Sequence, residues 1–396
     1  MRISVVQPSE LGPGEIGAWH AMQDQGEEFR NPFLSPEFAV AAGQVVPDAR
    51  VAVVEEAGRP AGFFAFELGR LGSARPVGAW LSDCQGVVHT PEFQPDAGEL
   101  LRGCGISAWQ FDHLVSSRQP FAKYQVASAR SPVVDLTEGF EVYDARLKAR
   151  SPRLRNDLGR KTRKIERELG PLKFVIDSSD PDDLRTLMGW KSDQYRRTGR
   201  NDRFDEPWIV ELISRLFSHR PAGAGGGRGD FCGLLSMLYA GDQPVAGHFG
   251  LAYGGVLAHW FPAYDPRYSK YSPGLLQLLE MTRDAPGLGI RSMDLGKGEA
   301  RYKEDMKSYD LTVAEGTAIG RPLLGNVLRV QHAPARWVAR EIRRNRRLFG
   351  AADQMLKRYG RMKVARANRE PEAGSGAERS LSSTSCGHGW CTSLDR

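Results

Sequence analysis

Residues 247–281 read GHFGLAYGGVLAHWFPAYDPRYSKYSPGLLQLLEM. Two apolar, aromatic-rich runs flank Gly254-Gly255, the pair of residues that a tight hairpin favours because its central positions take positive φ. The spacing predicts strands over 243–255 and 256–266. Ser272-Pro273-Gly274 then opens a helix that runs to about 285, with proline suited to the first turn. A helix start leaves backbone N–H groups unpaired and carries about half a positive charge. Gly274 would let a ligand approach the backbone closely. With Arg267 and Lys270 just before it, the segment is a candidate anion site of the size of a pyrophosphate.

Downstream, MDLGKGEARYKEDMKS (293–308) follows a strand over 289–296. Asp294 ends that strand, two glycines turn the chain, and Lys297, Glu299, Arg301, Tyr302 and Lys303 crowd into seven residues. Mixed charges at a strand end commonly line a ligand crevice. Asp294 or Glu299 could take a proton from an acceptor, and Tyr302 could give one to a leaving group. His248 lies within a strand. It is either a core histidine or a general base. A last strand is expected over 311–319.

Upstream, a capped helix is expected over 179–199. In it Trp190 and Gln194 share one face, while Lys191 and Tyr195 share the next. A basic helix from about Glu141 to Gly170 precedes it, with a strand over 172–179 between. RPAGAGGGRGD (220–230) reads as a surface loop and lacks the phosphate-gripping pattern. The first 140 residues show a similar order. A strand opens the chain, a helix follows over about 12–30, and Ser35-Pro36-Glu37 starts another. A hairpin is then expected over 49–57 and 60–70, with strands at 109–115 and 131–136. This repetition of element order predicts two α/β halves.

The net charge is +6, with the excess gathered at 144–169 and 321–369. Such patches attract phosphorylated ligands, nucleic acid or anionic lipid alike. The five cysteines form no CxxC pair, so neither a zinc site nor a disulfide framework is expected. No run approaches the ~20 apolar residues of a membrane helix, and the N-terminus has no apolar signal core. A cytoplasmic protein without a metal is expected. Residues 321–369 read as a basic helical extension and 370–396 as a disordered tail.

The stretch 247–281 together with 293–308 resembles the GNAT-like domain of CelD/BcsL-type proteins, acetyltransferases associated with cellulose and exopolysaccharide biosynthesis. NPFLSPEF (31–38), LSDCQGVV (81–88), FDHL (111–114) and WKSDQYRRTG (190–199) are similar to segments of the same family. The resemblance covers about residues 30–320. It implies an α/β (α+β) fold of two tandem GNAT units with mixed, mostly antiparallel sheets, as in the FemABX aminoacyltransferases. The first unit would span 1–140 and the second 141–320.

It further implies an acyl-CoA donor such as acetyl-CoA, bound around Tyr271–Leu275. The usual loop there reads Q/R-x-x-G-x-G/A, and this chain has Lys270 where the first glycine would stand if Arg267 opens it. By the same resemblance the acceptor is a small-molecule amine or hydroxyl, such as a nucleotide sugar or glycan precursor. Trp190, Lys191, Gln194, Lys297, Arg301 and Lys303 would line its site. Peripheral association with an anionic membrane or with polysaccharide synthesis machinery is the expected context, and nucleic acid is not the expected partner. Two alternatives remain open: aminoacyl transfer from tRNA, and a non-catalytic basic binding module. Deleting 321–396 separates the last from an acyltransferase: the deletion should leave acyl-CoA affinity intact in a calorimetric titration, whereas a basic clamp should lose its polyanion partner.

Overall fold

The computed structural model describes residues 1–115, 120–219 and 230–321. The glycine loop at 220–229, the basic extension after 321 and the tail lie outside these residues. In chain order the elements are β1 (Arg2–Val6), α1 (Pro13–Gln25), α2 (Pro36–Gly43), β2 (Ala49–Glu56), β3 (Arg59–Leu68), β4 (Ser73–Pro76), β5 (Val87–His89), α3 (Ala97–Gly103), β6 (Ala108–Val115) and β7 (Gln125–Asp135). They continue with α4 (Phe140–Arg150), α5 (Pro152–Leu169), β8 (Leu172–Val175), α6 (Pro181–Thr198), α7 (Pro207–Ser218), β9 (Cys232–Ala240), β10 (Gln243–Tyr253) and β11 (Val256–Tyr264). The last are α8 (Pro273–Asp284), β12 (Ser292–Asp294), α9 (Arg301–Met306) and β13 (Tyr309–Ile319).

Local chemistry sets most boundaries. Ser35 caps α2 by accepting from the Phe38 N–H, and Asp180 caps α6 by accepting from the Asp182 N–H. Gly254 and Gly255 take φ of 57° and 83° in the two-residue turn between β10 and β11, as that turn type requires. The helix expected from Glu141 to Gly170 is in fact two. Ser151, with φ −130° and ψ 60°, breaks it, because Pro152 has no N–H to bond back and bars its predecessor from helical geometry.

Twelve strands form one continuous sheet in the order β1-β2-β3-β4-β6-β13-β7-β12-β11-β10-β9-β8, with β5 added beside β3. The order is palindromic. β1 to β4 and β6 of the first half mirror β8 to β11 and β12 of the second, and in each half the only parallel contact is the inner one, β4 with β6 and β11 with β12. The centre is an exchange. β7 closes the first half of the chain but pairs with β12, and β13 closes the second half but pairs with β6. β7 and β13 pair with each other over eight registered residue pairs, Tyr309↔Val133 to Gly316↔Gln125.

The cores follow the same logic. On one face a single core joins both halves: Trp19, Phe33, Phe38 and Phe63 from the first pack with Leu187, Leu212, Phe249 and Trp260 from the second. On the other face each half has its own core, one built around Leu158, Leu278 and Met306 and one around Phe64, Trp109 and Phe121. Among the described residues no helix is long and apolar enough to cross a membrane.

Backbones meet closely at the shared core. A Cβ on Gly233 of β9 would run into the carbonyl of Leu216 at the end of α7. Gly233→Ala should therefore destabilise the fold by about 1–3 kcal/mol, read by chemical denaturation. An unchanged midpoint would mean that α7 is not seated against β9 as described.

Candidate active site at a forked strand pair

The parallel pairing of β11 with β12 lasts three residues, Val256↔Ser292, Leu257↔Met293 and Ala258↔Asp294. β11 then continues to Tyr264 along β10, while β12 ends and Gly296 (φ 76°) turns the chain towards α9. The strands therefore fork between Ala258 and Asp294. Six residues of β11, His259 to Tyr264, lie beyond the last pair with β12.

Asp294 sits at the fork and is buried. Its Oδ1 accepts from Ser131 Oγ of β7 at 2.5 Å and from the Gly296 N–H at 3.0 Å, and its Oδ2 lies 3.5 Å from Asn31 Nδ2. Burial raises its carboxyl above the ordinary aspartate range, against the lowering effect of those hydrogen bonds and of Lys303. Lys303 Nζ donates to the carbonyls of Gly296 and Lys297, at 3.0 and 3.3 Å, and so ties α9 to the turn. Lys297 Nζ reaches across to Glu315 Oε1 at 2.5 Å and the Asp112 carbonyl at 3.1 Å. Next to it, His113 Nδ1 lies 3.0 Å from Asp112 Oδ1, and its Nε2 lies 3.8 Å from Asp83 Oδ1. Burial pulls the His113 imidazole down, but the Asp112 carboxylate outweighs it and holds the ring above its usual value.

The other predicted residues are placed as follows. His248 is wholly buried and its ring stacks on His259, with centroids 4.1 Å apart. It is therefore a core residue; burial lowers it far below the usual histidine value and keeps it neutral. Lys191 Nζ donates to the Pro262 carbonyl of β11 at 3.0 Å. Trp190 packs on the shared core, and Gln194 is half-buried one turn further along α6. Tyr302 packs against the second-half core. Glu299 and Arg301 are exposed and point to no common centre with Asp294, the nearest charge to Arg301 being Asp305 at 3.9 Å.

At the start of α8, Ser272 takes the left-handed conformation, φ 53° and ψ 53°, a strain of ~1–3 kcal/mol for a residue with a Cβ. Its hydroxyl bonds Lys161 Nζ of α5 at 2.6 Å. Tyr271 is buried and donates to Glu168 Oε2 at 2.5 Å; Lys270 pairs with the same carboxylate at 3.1 Å. The Tyr271 hydroxyl, and after it Lys270, hold Glu168 down to about 2. Arg267 is paired to Asp265, with Nη2 to Oδ2 at 2.6 Å. Pro273 is buried, while Gly274 and Leu275 are half-buried.

The first half has the mirror fork, and it is filled. β4 and β6 pair only at Ser73↔Ala108 and Ala74↔Trp109. Beyond them Gln85 inserts beside β6. Its N–H donates to the His113 carbonyl at 2.9 Å, its carbonyl accepts from Val115 N–H at 3.0 Å, and its Oε1 accepts from the Asp112 and His113 N–H groups at 3.0 and 3.1 Å. The chain thus occupies its own first fork and leaves the second with no such insert among the described residues.

Sequence reasoning missed Asn31, Gln85, His113, Ser131, Lys161 and His259. His259 alone had a local signal, as a polar residue in the apolar run HWFPAY. The rest reach the site from separate elements.

Residues 152–304 match the family described as "Acetyltransferase (GNAT) domain". The second half carries a GNAT acetyltransferase domain. With it comes the enzyme class of an acyltransferase, and the match runs from the start of α5 through β12 into α9, so that the fork lies inside the GNAT domain. FemX, known from a crystal structure, is similar in fold, at 10% identity, a TM-score of 0.52, and coverage of 82% of this chain and 98% of that one. A tandem GNAT protein from the clavulanic acid biosynthesis pathway is similar at 11% identity and a TM-score of 0.45, over 81% of this chain and 98% of that one. So is the C-terminal domain of a putative lysylphosphatidylglycerol synthetase from Agrobacterium fabrum, at 15% identity and 0.45, over 79% and 95%. No curated protein sequence matches the chain. The palindromic sheet and the GNAT domain together make the fold a tandem GNAT architecture.

The raised Asp294 carboxyl has a consequence for stability. A folded-state value above the unfolded one means that the folded chain loses stability as pH rises through the ordinary aspartate range. Asn keeps an oxygen for Ser131 and Gly296, and it carries no charge. Asp294→Asn should therefore raise Tm at pH 7, with the advantage shrinking as pH falls below the ordinary aspartate range. A Tm gain independent of pH would contradict the assignment.

Proposed function

We propose that the chain moves an acyl group from an acyl-CoA, such as acetyl-CoA, to an amine or hydroxyl of a small-molecule acceptor. The fork at Ala258 and Asp294 carries this reading. A strand edge released from its partner offers backbone N–H groups to a thioester carbonyl, where they can stabilise the charge that develops on attack. GNAT domains use acyl-CoA donors. The donor's diphosphate would lie at the start of α8, near Ser272, Gly274 and Leu275. The strained Ser272 and the adjacent Lys161 ammonium fit an anion there. Tyr271, Arg267 and Lys270 would join only if their present carboxylate partners were exchanged.

In the proposed reaction the acceptor's nitrogen or oxygen attacks the thioester carbon. The new C–N or C–O bond forms as the C–S bond breaks. Asp294 takes the acceptor's proton, and the thiolate leaves with a proton from Tyr302. Trp190, Lys191, Gln194, Lys297 and Lys303 would shape the acceptor cleft on the side facing the first half. Glu299, His248 and Arg301 are assigned no direct part, the first and last being exposed and the second enclosed. The acceptor class we favour is a nucleotide sugar or glycan precursor, in line with the CelD/BcsL resemblance. The machinery for polysaccharide synthesis, at an anionic membrane surface, is the matching context. We place the junction of the halves at 140/141, between β7 and α4.

A second reading, aminoacyl transfer from charged tRNA, is supported by the basic face of α5, where Arg153 and Arg163 are exposed. An assay with charged tRNA separates the two.

The position of a Cβ on Gly274 is open apart from ordinary contact with the Tyr264 ring at 3.4 Å. Gly274→Trp should thus fold normally and block the helix start. Calorimetry should show acetyl-CoA binding to the parent chain and its loss in this variant; equal affinity in both removes the donor site. Asp294→Asn should lower kcat about 10²–10⁴-fold. In the parent, kcat/KM should rise with pH through a value above the ordinary aspartate range, because the base must be ionised. Full activity of Asp294→Asn would exclude it as the base.

A further inference from the structure

The described residues leave two neighbouring ring nitrogens at the fork without a hydrogen-bond partner: Nδ1 of His248 and Nε2 of His259. Both side chains are almost wholly enclosed, at 0% and 6% exposure. Adjacent buried polar atoms are rarely left unpaired unless something else supplies their partners. Their protonation states follow from their surroundings. The Trp260 N–H donates to His248 Nε2 at 3.2 Å, so that nitrogen carries the lone pair and the proton sits on Nδ1. The His259 ring bonds its own backbone, which leaves Nε2 as a bare acceptor.

Burial, with Lys191 and Lys303 nearby, keeps both rings neutral, His259 down at about 3. Neither is therefore a useful general base, which needs a value near the working pH. The stack instead presents one free donor and one free acceptor side by side. His259 is the first residue of β11 beyond its last pair with β12, so the stack stands where the two strands separate. A secondary amide matches this pair, because it offers an N–H and a C=O a few ångströms apart.

We propose that the His248–His259 stack binds the amide-bearing pantetheine arm of the acyl donor, with His259 Nε2 accepting from an amide N–H and His248 Nδ1 donating to an amide carbonyl. This rests on the acyl-CoA reading and adds the residues that grip the arm. They act by neutral hydrogen bonding, apart from the phosphate contacts at α8 and the proton transfer at Asp294.

The test uses the full chain and three probes: acetyl-CoA, pantetheine, and adenosine 3′,5′-bisphosphate, which has phosphates but no amide. One neutral hydrogen bond corresponds to about a fivefold change in affinity. His259→Leu should weaken acetyl-CoA and pantetheine by about fivefold or more and leave the bisphosphate unchanged. His259→Gln, which keeps an acceptor, should recover most of the loss. In the parent chain, ¹⁵N NMR of the imidazoles should show the His259 Nε2 resonance moving on addition of acetyl-CoA and not on addition of the bisphosphate. That measurement also decides the matter if the leucine variant does not fold.

Equal losses for all three probes would overturn the proposal in favour of a structural role. So would an unmoved Nε2 resonance, or a liganded crystal structure with only a buried water on that atom. If the parent chain binds neither acetyl-CoA nor the bisphosphate, the donor reading itself falls and this assignment with it. Bisphosphate binding with no response to the amides overturns this assignment alone.

Discussion

The exchange of β7 and β13 across the middle of the sheet is the constraint on which the rest depends. β12 has three residues, too few to hold a position on its own strength. It is fixed because β7 pairs along one edge and β11 along the other. β7 also brings Ser131 to Asp294, so the first half of the chain supplies both the strand and the hydroxyl that define the fork. The two halves therefore cannot part without dismantling the site. The shared core reinforces this: Trp260 of β11 packs on Phe33 and donates its indole N–H to the Leu81 carbonyl at 3.0 Å.

Duplication followed by divergence is written into the two forks. Each half separates its inner parallel strands after two or three residue pairs. In the first, the segment after β4 folds back, and Gln85 meets the backbone groups of β6 with both its main chain and its side chain. In the second, the segment after β11 moves away into the strained Ser272 and α8. One fork is thus part of the protein's own hydrogen bonding, and the other is available to a ligand. The filled fork still serves the site, because it carries Asp112, His113 and the backbone that receives Lys297.

The electrostatics around the open fork share one feature. His248 and His259 are neutral, Asp294 is held above its ordinary value, and Lys191 and Lys303 donate to backbone carbonyls of the site. Little of this is solvated, so each charge acts through a medium less polarisable than water. Charge appearing during acyl transfer would meet fixed dipoles that need little reorganisation, the condition under which such groups contribute most to catalysis.

Much of the local structure was legible in the sequence because it rests on short-range rules. Gly254-Gly255 specifies its turn, Ser35 and Asp180 specify their caps, and the helix after Ser272 specifies its own start. Asp294 could be singled out as a polar residue at a strand end followed by glycines. The break at Pro152 was equally local and was overlooked in favour of the continuous basic pattern. The long-range pairings were a different matter. Nothing near Ser131 says that it faces Asp294, 163 residues away, and nothing near Gln85 says that it fills a gap beside β6. The sequence by itself determined the elements, their order and the repetition of that order. Only the tertiary structure decided which strand closes which half, which fork stays open and which side chains meet there, because strand exchange and burial depend on contacts between segments that the chain keeps far apart.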